Sequence, residues 1–253
     1  MGNILLDFDL RSEAIESFAR AVTIDPSDTY SLSTKMHQQA QICDWDGVAQ
    51  DTQHIPSLGL SGSSALPWTM LSFEDAPERH RLRSERRIQL SVRSTLRHRF
   101  DAPTARPDKL RIGYFSSDIN QHAVMSLARR MIELHDRNRF EICAFSYGDK
   151  DSSEFQSLFD RFYDVQKLDD EEIVTLARKV GVDIAIDLNG HTKGWRPDIF
   201  AQGAAPVQMS YLGYPGTTGA DFIDYIIADK VVIPNEHRQY YSENVLYLPD
   251  CYQ

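Results

Sequence analysis

Val207-Gln208-Met209-Ser210-Tyr211-Leu212-Gly213-Tyr214-Pro215-Gly216-Thr217-Thr218-Gly219 decides the fold. The first five residues form a short, largely apolar run that reads as a strand, Val207–Tyr211. Glycines, a proline and two threonines follow at once, making a tight loop with many exposed backbone N–H groups. In an open α/β sheet such a loop lies at the carboxyl edge of the strands, where ligands bind. Glycine admits a ligand close to the backbone, and N–H groups in a concave turn favour anions or sugar oxygens. Taken alone, a Gly/Pro run is more often a plain turn, so its surroundings must decide.

Those surroundings alternate between strand and helix from Lys109 onward. Strands are expected at Leu110–Tyr114, Phe140–Tyr147, Tyr163–Val165, Val182–Leu188, Val207–Tyr211 and Tyr225–Ala228. Helices are expected at Ala123–Asp136, Glu154–Phe162, Asp170–Val180 and Pro197–Ala201. Short connections between such elements give an α/β fold, a Rossmann-like parallel sheet covered on both faces. No Gly-x-Gly-x-x-Gly follows the first strand, which disfavours a nicotinamide dinucleotide.

The residues before Lys109 are helical in character. Gly2, Leu5, Ala14, Phe18, Ala21 and Pro26 fall in the order of a tetratricopeptide repeat, with small residues for the helix crossing and an aromatic plug beside them. An ordinary amphipathic hairpin would carry a similar pattern. A lone repeat cannot bury its stacking faces, so an upstream extension or a misplaced start at Met1 is expected. Further helices are expected over Asp28–Ile55, with Trp45 as a core anchor. A Ser/Gly-rich loop follows over 57–64, then the apolar run Pro67–Phe73. A long charged helix is expected from Asp75, as N-cap, to about Phe100, with Pro77 in its first turn. Asp101–Asp108, with two prolines, reads as a linker. The expected organisation is thus 1–56, tetratricopeptide-like; 57–108, helical connection and linker; and 109–253, a Rossmann-like lobe.

The 253 residues, 42% of them hydrophobic, can bury a substantial core. A net charge of −10 argues against nucleic acid or an anionic membrane as partner, although Arg81–Arg99 is locally basic. Cys43, Cys143 and Cys251 have neither metal nor disulfide spacing, which suits a reducing compartment, so a cytoplasmic location is expected. Charged residues interrupt the N-terminus, so it has no apolar signal core, and no run approaches the ~20 apolar residues of a membrane span.

Asp118 and His122 sit in the loop after the first strand, at the start of the next helix. A histidine there can hydrogen-bond a sugar or phosphate, or move a proton near neutral pH. Asp118 can orient it or cap the helix; a plain cap with a surface histidine is the alternative. His37, His54, His80, His98, His135 and His237 belong to no constellation and are expected to be structural or exposed.

Several motifs in order carry a family resemblance. They are Arg111-Ile112-Gly113-Tyr114-Phe115-Ser116-Ser117-Asp118 with His122, then Asp187-Leu188-Asn189-Gly190-His191-Thr192-Lys193-Gly194, then Pro206-Val207-Gln208 and the glycine loop. Phe222–Asp229, Tyr241-Ser242-Glu243 and Leu248-Pro249-Asp250 complete the series. Together they resemble the first catalytic lobe of the O-linked N-acetylglucosamine transferase and SPINDLY-like family, strongly from about Lys109 and more weakly before it.

The resemblance implies the first lobe of a glycosyltransferase-B fold, with UDP held mainly by a second lobe that this sequence lacks. It implies Asp118 and His122 as catalytic, and donor or acceptor contacts from Thr192, Lys193, Arg196, Leu212, Gly213, Tyr214 and Pro215. Met70 and Leu71 match less securely, and for Leu71 ordinary core is the favoured alternative. Lys193 and Arg196 read equally as solvated charges at a helix start. Departures are Ala123 and Ser126, where the family commonly has Pro and often His; His191, where it usually has Tyr; Trp195, where it has a small residue; and Gly203-Ala204-Ala205-Pro206, where it has Arg-Pro-Ala-Pro.

The implied reaction of the complete protein is transfer of N-acetylglucosamine from UDP-N-acetylglucosamine to Ser/Thr hydroxyls of a protein or peptide acceptor, with neither metal nor cofactor. Alternatives are O-fucosyl transfer from GDP-fucose, N-glucosyl transfer, or a non-catalytic protein-binding module. The chain by itself is expected to be inactive. In a eukaryote a nucleocytoplasmic location would follow.

Overall fold

The computed structural model describes residues 1–93, 100 and 107–253. The expected linker 101–108 lies outside the described residues except at 107 and 108; His98 also lies outside them. The chain packs as two compact units, Met1–Ser91 and Val92–Gln253.

The first unit is helical: α1 (Gly2–Asp7), α2 (Arg11–Ile24), α3 (Thr29–Gln41), α4 (Trp45–Asp51), α5 (Pro67–Met70) and α6 (Pro77–Ser91), with a 3₁₀ turn at Thr52–Ser57. Phe18 is buried against Gly2, where a Cβ would meet its ring at 2.6 Å, so only glycine fits that crossing. Leu32, Met36, Ile55, Leu58, Ala65 and Met70 form this unit's core. Arg83 is fully buried, donating from Nε to the Leu58 carbonyl and from Nη2 to the Ile55 carbonyl, both at 2.7 Å, and pairing with Glu74.

Trp45 is not the expected core anchor: it is 61% exposed. The Asp44 side chain accepts from the Gly47 N–H and caps α4, which leaves Trp45 as the first helical residue on the outer side. Leu71 is likewise exposed, whereas Met70 beside it is buried. The charged helix is described over Pro77–Ser91, with Val92 and Arg93 outside it; positions 94–99 of its expected span lie outside the described residues.

The second unit holds seven parallel strands: β1 (Leu110–Ser116), β2 (Phe140–Ser146), β3 (Arg161–Asp164), β4 (Ile184–Asp187), β5 (Val207–Ser210), β6 (Tyr225–Ala228) and β7 (Asn244–Tyr247). Their order is β3-β2-β1-β4-β5-β6-β7. Among the described residues three α-helices accompany them, α7 (Ala123–Leu134), α8 (Asp170–Val180) and α9 (Pro197–Ala201). Alternate residues of the central strands face opposite sides. Ile112 and Tyr114 pack with Val124, Met125, Ala128 and Ile132 of α7. On the other face Phe115 stacks on Phe145 at 4.3 Å and meets Phe200 of α9 edge-on. Both faces are therefore covered, as the continuous apolar strands require.

α8 shows why the local sequence suffices for some elements. Asp169 and Glu172 form a capping box, acidic residues fill the first turn and basic ones the last, and Gly181 closes the helix at φ 77°. The expected helix Glu154–Phe162 is instead a 3₁₀ turn, Ser153–Leu158, followed by β3. Pairing overrides helical pattern there: Cys143 lies opposite Arg161, and Asp160 accepts the Ile142 N–H at 2.7 Å. β7 was not expected; it adds to β6 from Tyr225↔Asn244 onward.

Candidate functional site

The strand order reverses direction between β1 and β4, and in doubly wound sheets the crevice at the carboxyl ends of such a pair is the ligand site. Phe115 lies opposite Asp187, so Ser117-Asp118 and Leu188-Asn189 leave the sheet side by side. Asn189 ties the two exits together. Its Oδ1 accepts from the Ser117 N–H and the Tyr147 hydroxyl, both at 2.9 Å. Its Nδ2 donates to Asp118 Oδ2 at 2.9 Å and Ser117 Oγ at 2.8 Å, and reaches Thr192 Oγ1 at 3.3 Å. The side chain is fully buried, so each of these bonds is made away from competing water.

Asp187, the last residue of β4, holds the loop that follows. Its Oδ1 accepts from the Asn189 N–H (2.9 Å), and its Oδ2 accepts from the Gly190 N–H (3.1 Å) and Trp195 Nε1–H (2.7 Å). Burial pushes the carboxyl up from its ordinary 3.8 to about 6, against the lowering by these three donors.

The glycine loop after β5 leans on the same turn. A Cβ on Gly213 would stand 2.3 Å from the Leu188 carbonyl oxygen and 2.4 Å from that of Asn189, and its φ is +33°. Leu212 sits at φ 58°, a left-handed conformation that costs a leucine strain energy. His191 Nε2 donates to the Thr218 carbonyl at 2.7 Å and its ring meets Tyr214 edge-on, which joins the two loops a second time. The far end of the loop is fixed by Glu243, whose carboxylate accepts from Thr217 Oγ1 and the Thr218 N–H (2.6 Å each) and from Thr218 Oγ1.

Of the residues singled out in the sequence, Asp118, Thr192, Leu212, Gly213 and Tyr214 gather around Asn189-Gly190. Pro215 continues the glycine loop. His122 is exposed at the N-cap of α7, its Nδ1 accepting from the Val124 N–H at 3.3 Å. With Nδ1 so engaged, the neutral ring carries its proton on Nε2 and offers a donor. Lys193 is exposed, and its carbonyl accepts from Ser117 Oγ at 3.4 Å. Arg196 is turned to the start of α8, donating to Asp170 Oδ1 (2.6 Å) and the Leu168 carbonyl (2.9 Å), with its guanidinium over Tyr147. Met70 and Leu71 belong to the first unit. Among the described residues no cluster of three or more His, Cys, Asp or Glu could hold a metal, and no helix is long and apolar enough to cross a membrane.

A model of glycosyl transferase family 41 matches residues 35–253. The chain belongs to that family. Its relatives include a probable UDP-N-acetylglucosamine–peptide N-acetylglucosaminyltransferase, SEC, from Arabidopsis thaliana, 39% identical over 57% of this chain and 15% of the relative. The Caenorhabditis elegans UDP-N-acetylglucosamine–peptide N-acetylglucosaminyltransferase is 33% identical over 65% of this chain and 15% of the relative. A mutant O-GlcNAc transferase of Thermobaculum terrenum superposes with a TM-score of 0.71 at 25% identity, over 96% of this chain and 48% of that one. Family 41 members are glycosyltransferases, and this chain spans about half the solved structure and a smaller part of the curated relatives.

Asp187, Asn189 and Glu243 were not picked out individually from the sequence. The available signal was positional: a carboxylate and an Asn-Gly pair at the end of an apolar strand, where side chains meet backbone donors.

Proposed function

We propose that this chain forms the lobe of a protein O-glycosyltransferase that lines the sugar and acceptor side of the cleft, the whole protein transferring N-acetylglucosamine from UDP-N-acetylglucosamine to Ser/Thr hydroxyls. What carries the proposal is the Asn189-centred junction at the β1/β4 reversal of a family 41 sheet, where Asp118, Thr192 and Gly213 converge. The chemistry fits. A sugar needs polar groups of fixed direction beside apolar surface; the part-exposed Asp118 and Thr192, held by buried Asn189, and the exposed Pro215 supply both. His122 Nε2–H acts as a donor to a sugar or phosphate oxygen; to serve as base the ring would first have to release its cap on Val124.

Inversion at the anomeric carbon would place the acceptor hydroxyl opposite the departing UDP, with the negative charge building on the diphosphate. Charge neutralisation there is assigned to the part of the relatives that this chain does not match.

The test is titration of the ¹⁵N-labelled chain with UDP-N-acetylglucosamine and a Ser/Thr-rich peptide, alongside an assay with labelled donor. Shifts at the Asn189, Gly190 and Gly213 amides without multiple turnover are expected. Steady turnover would show that the diphosphate is held within these residues. Shifts from the peptide alone, indifferent to donor, would favour the protein-binding module.

A further inference from the structure

Trp195 stands where relatives of this type were expected to have a small residue, and it has found a specific use. Its indole Nε1–H donates to Asp187 Oδ2 at 2.7 Å while its ring meets His191 edge-on at 4.5 Å. The bond closes the loop 188–195 onto the strand that it leaves. The same carboxylate oxygen takes the Gly190 N–H, and the other takes the Asn189 N–H. Asn189 in turn holds Asp118 and Ser117 on the neighbouring loop.

We propose that Asp187 and Trp195 form a latch in which Asp187 is a positioning residue: closed, it fixes Asn189 and through it Asp118; open, it releases both. Trp195 is half-buried and lies on the loop, so the latch can swing without unfolding the sheet. Asp187 is fully buried, and three N–H donors face it. Such a site needs acceptor lone pairs on both oxygens. A protonated carboxyl brings an O–H among these donors and weakens its oxygens as acceptors.

Burial sets that change at about pH 6. Above it the ionised carboxylate accepts all three donors and the latch is shut; below it the latch loosens. The effect on global stability runs the other way. The folded pKa lies above the ordinary 3.8, so the native state holds the extra proton between roughly pH 4 and 6. The contribution is fully present below the unfolded value and is lost as pH rises through about 6.

Tyr147, beyond β2, is the titratable group that interacts with Asp187; Arg196, Asp118 beyond β1 and Asp170 at the start of α8 act in turn on Tyr147, while His191 meets Trp195, and Lys193 stands on the same loop. β5 offers Ser210 opposite Asp187. Burial keeps Tyr147 protonated, so it donates to Asn189 throughout. His191, whose ring meets Trp195, is a second candidate source of a pH-dependent signal, and the test separates it.

The word positioning rests on the transferase proposal, but the experiment uses no sugar nucleotide, so failure of the latch and failure of that proposal are distinguishable. The indole resonances of the ¹⁵N-labelled chain are followed from pH 5 to 8, with Trp195 assigned through Trp195→Phe. A shift of the Trp195 signal with a midpoint near pH 6 is expected, retained in His191→Gln and absent in Asp187→Asn. A flat signal, or a transition that survives Asp187→Asn, overturns the latch.

If Asp187→Asn does not fold, Trp195→Phe decides by amide exchange at pH 7. Gly190 and, on the other loop, Ser117 should exchange about tenfold faster, with Ile142 in β2 unchanged. Equal exchange at Ser117 would reduce Trp195 to local packing and overturn the positioning role.

Discussion

Glu243→Ala should free the glycine loop from its far anchor and destabilise the second unit by about 3 kcal/mol. The carboxylate is buried and accepts from Thr217 Oγ1 and the Thr218 N–H at 2.6 Å, and from Thr218 Oγ1. The donors do not suffer equally when it is removed. Thr217 Oγ1 already lies 2.9 Å from Ser242 Oγ and can turn to it, and the Thr218 hydroxyl can rotate. The Thr218 N–H cannot move. Left buried and unpaired it costs about 1–3 kcal/mol, and the lost charge-assisted bonds add about 1.5–3 kcal/mol for the strongest of them. Relief of the carboxylate's own desolvation offsets part of this, which brings the sum back to about 3 kcal/mol.

For a domain of this size each kcal/mol lowers Tm by roughly 2–4 °C, so a fall of roughly 6–12 °C is expected. Urea unfolding gives the free energy, and hydrogen exchange localises it. Thr218 and Gly219 amides should lose protection in Glu243→Ala, while those of β1 and β2 keep theirs. Glu243→Gln retains one acceptor oxygen and should lose about half as much. A change below about 0.5 kcal/mol with unchanged exchange at Thr218 would refute the idea that this residue, 25 positions away in sequence, holds the loop.

Three further outcomes follow from the same geometry. Gly213→Ala places a methyl group 2.3 Å from the Leu188 carbonyl oxygen, against backbone that cannot yield, and should cost more than about 3 kcal/mol or abolish soluble expression; a normal melting curve would contradict the packing of the two loops. Arg83→Ala leaves the Leu58 and Ile55 carbonyls unpaired and Glu74 short of a partner, and about 3–5 kcal/mol should be lost from the helical unit by urea denaturation. His122→Ala removes a helix cap worth about 1 kcal/mol and, in the transfer-competent protein, should slow transfer roughly 10²–10⁴-fold. An unchanged rate would take His122 out of the site, and a Tm loss of many degrees would make it structural.

The parallel sheet was legible because its determinants are local. Each central strand is a short apolar run bounded by turn residues, and α8 carries its cap, its charge gradient and its terminal glycine within thirteen residues, Asp169 to Gly181. Where non-local pairing set the outcome, local pattern misled. Arg161–Asp164 took up a strand because β2 offered it an edge, although the preceding residues read as helix. β7, with half-exposed and exposed residues alternating, gave too weak a period to be seen before β6 was in place. Trp45 looked like an anchor by size alone, but the Asp44 cap fixed its helical phase, and phase rather than hydrophobicity determined its exposure.

The candidate site divides along the same line. Residue types and spacing point to Asp118, His122 and the glycine loop because each is a local cluster at a strand end. What converts those clusters into one site is a set of single side chains whose partners lie far off in sequence: Asn189 reaches back 72 residues to Ser117, and His191 reaches forward 27 to Thr218. No period or motif encodes such a bond, since either partner alone is an ordinary turn residue. The departure at Trp195 is instructive for that reason. Sequence pattern could say only that packing there must differ; the carboxylate of Asp187 eight residues earlier says how, by turning a bulky intrusion into a donor that the buried acid needs. A substitution that breaks a family pattern is therefore best judged by the buried polar group that it satisfies, and here that group stands at the end of the strand beside the cleft.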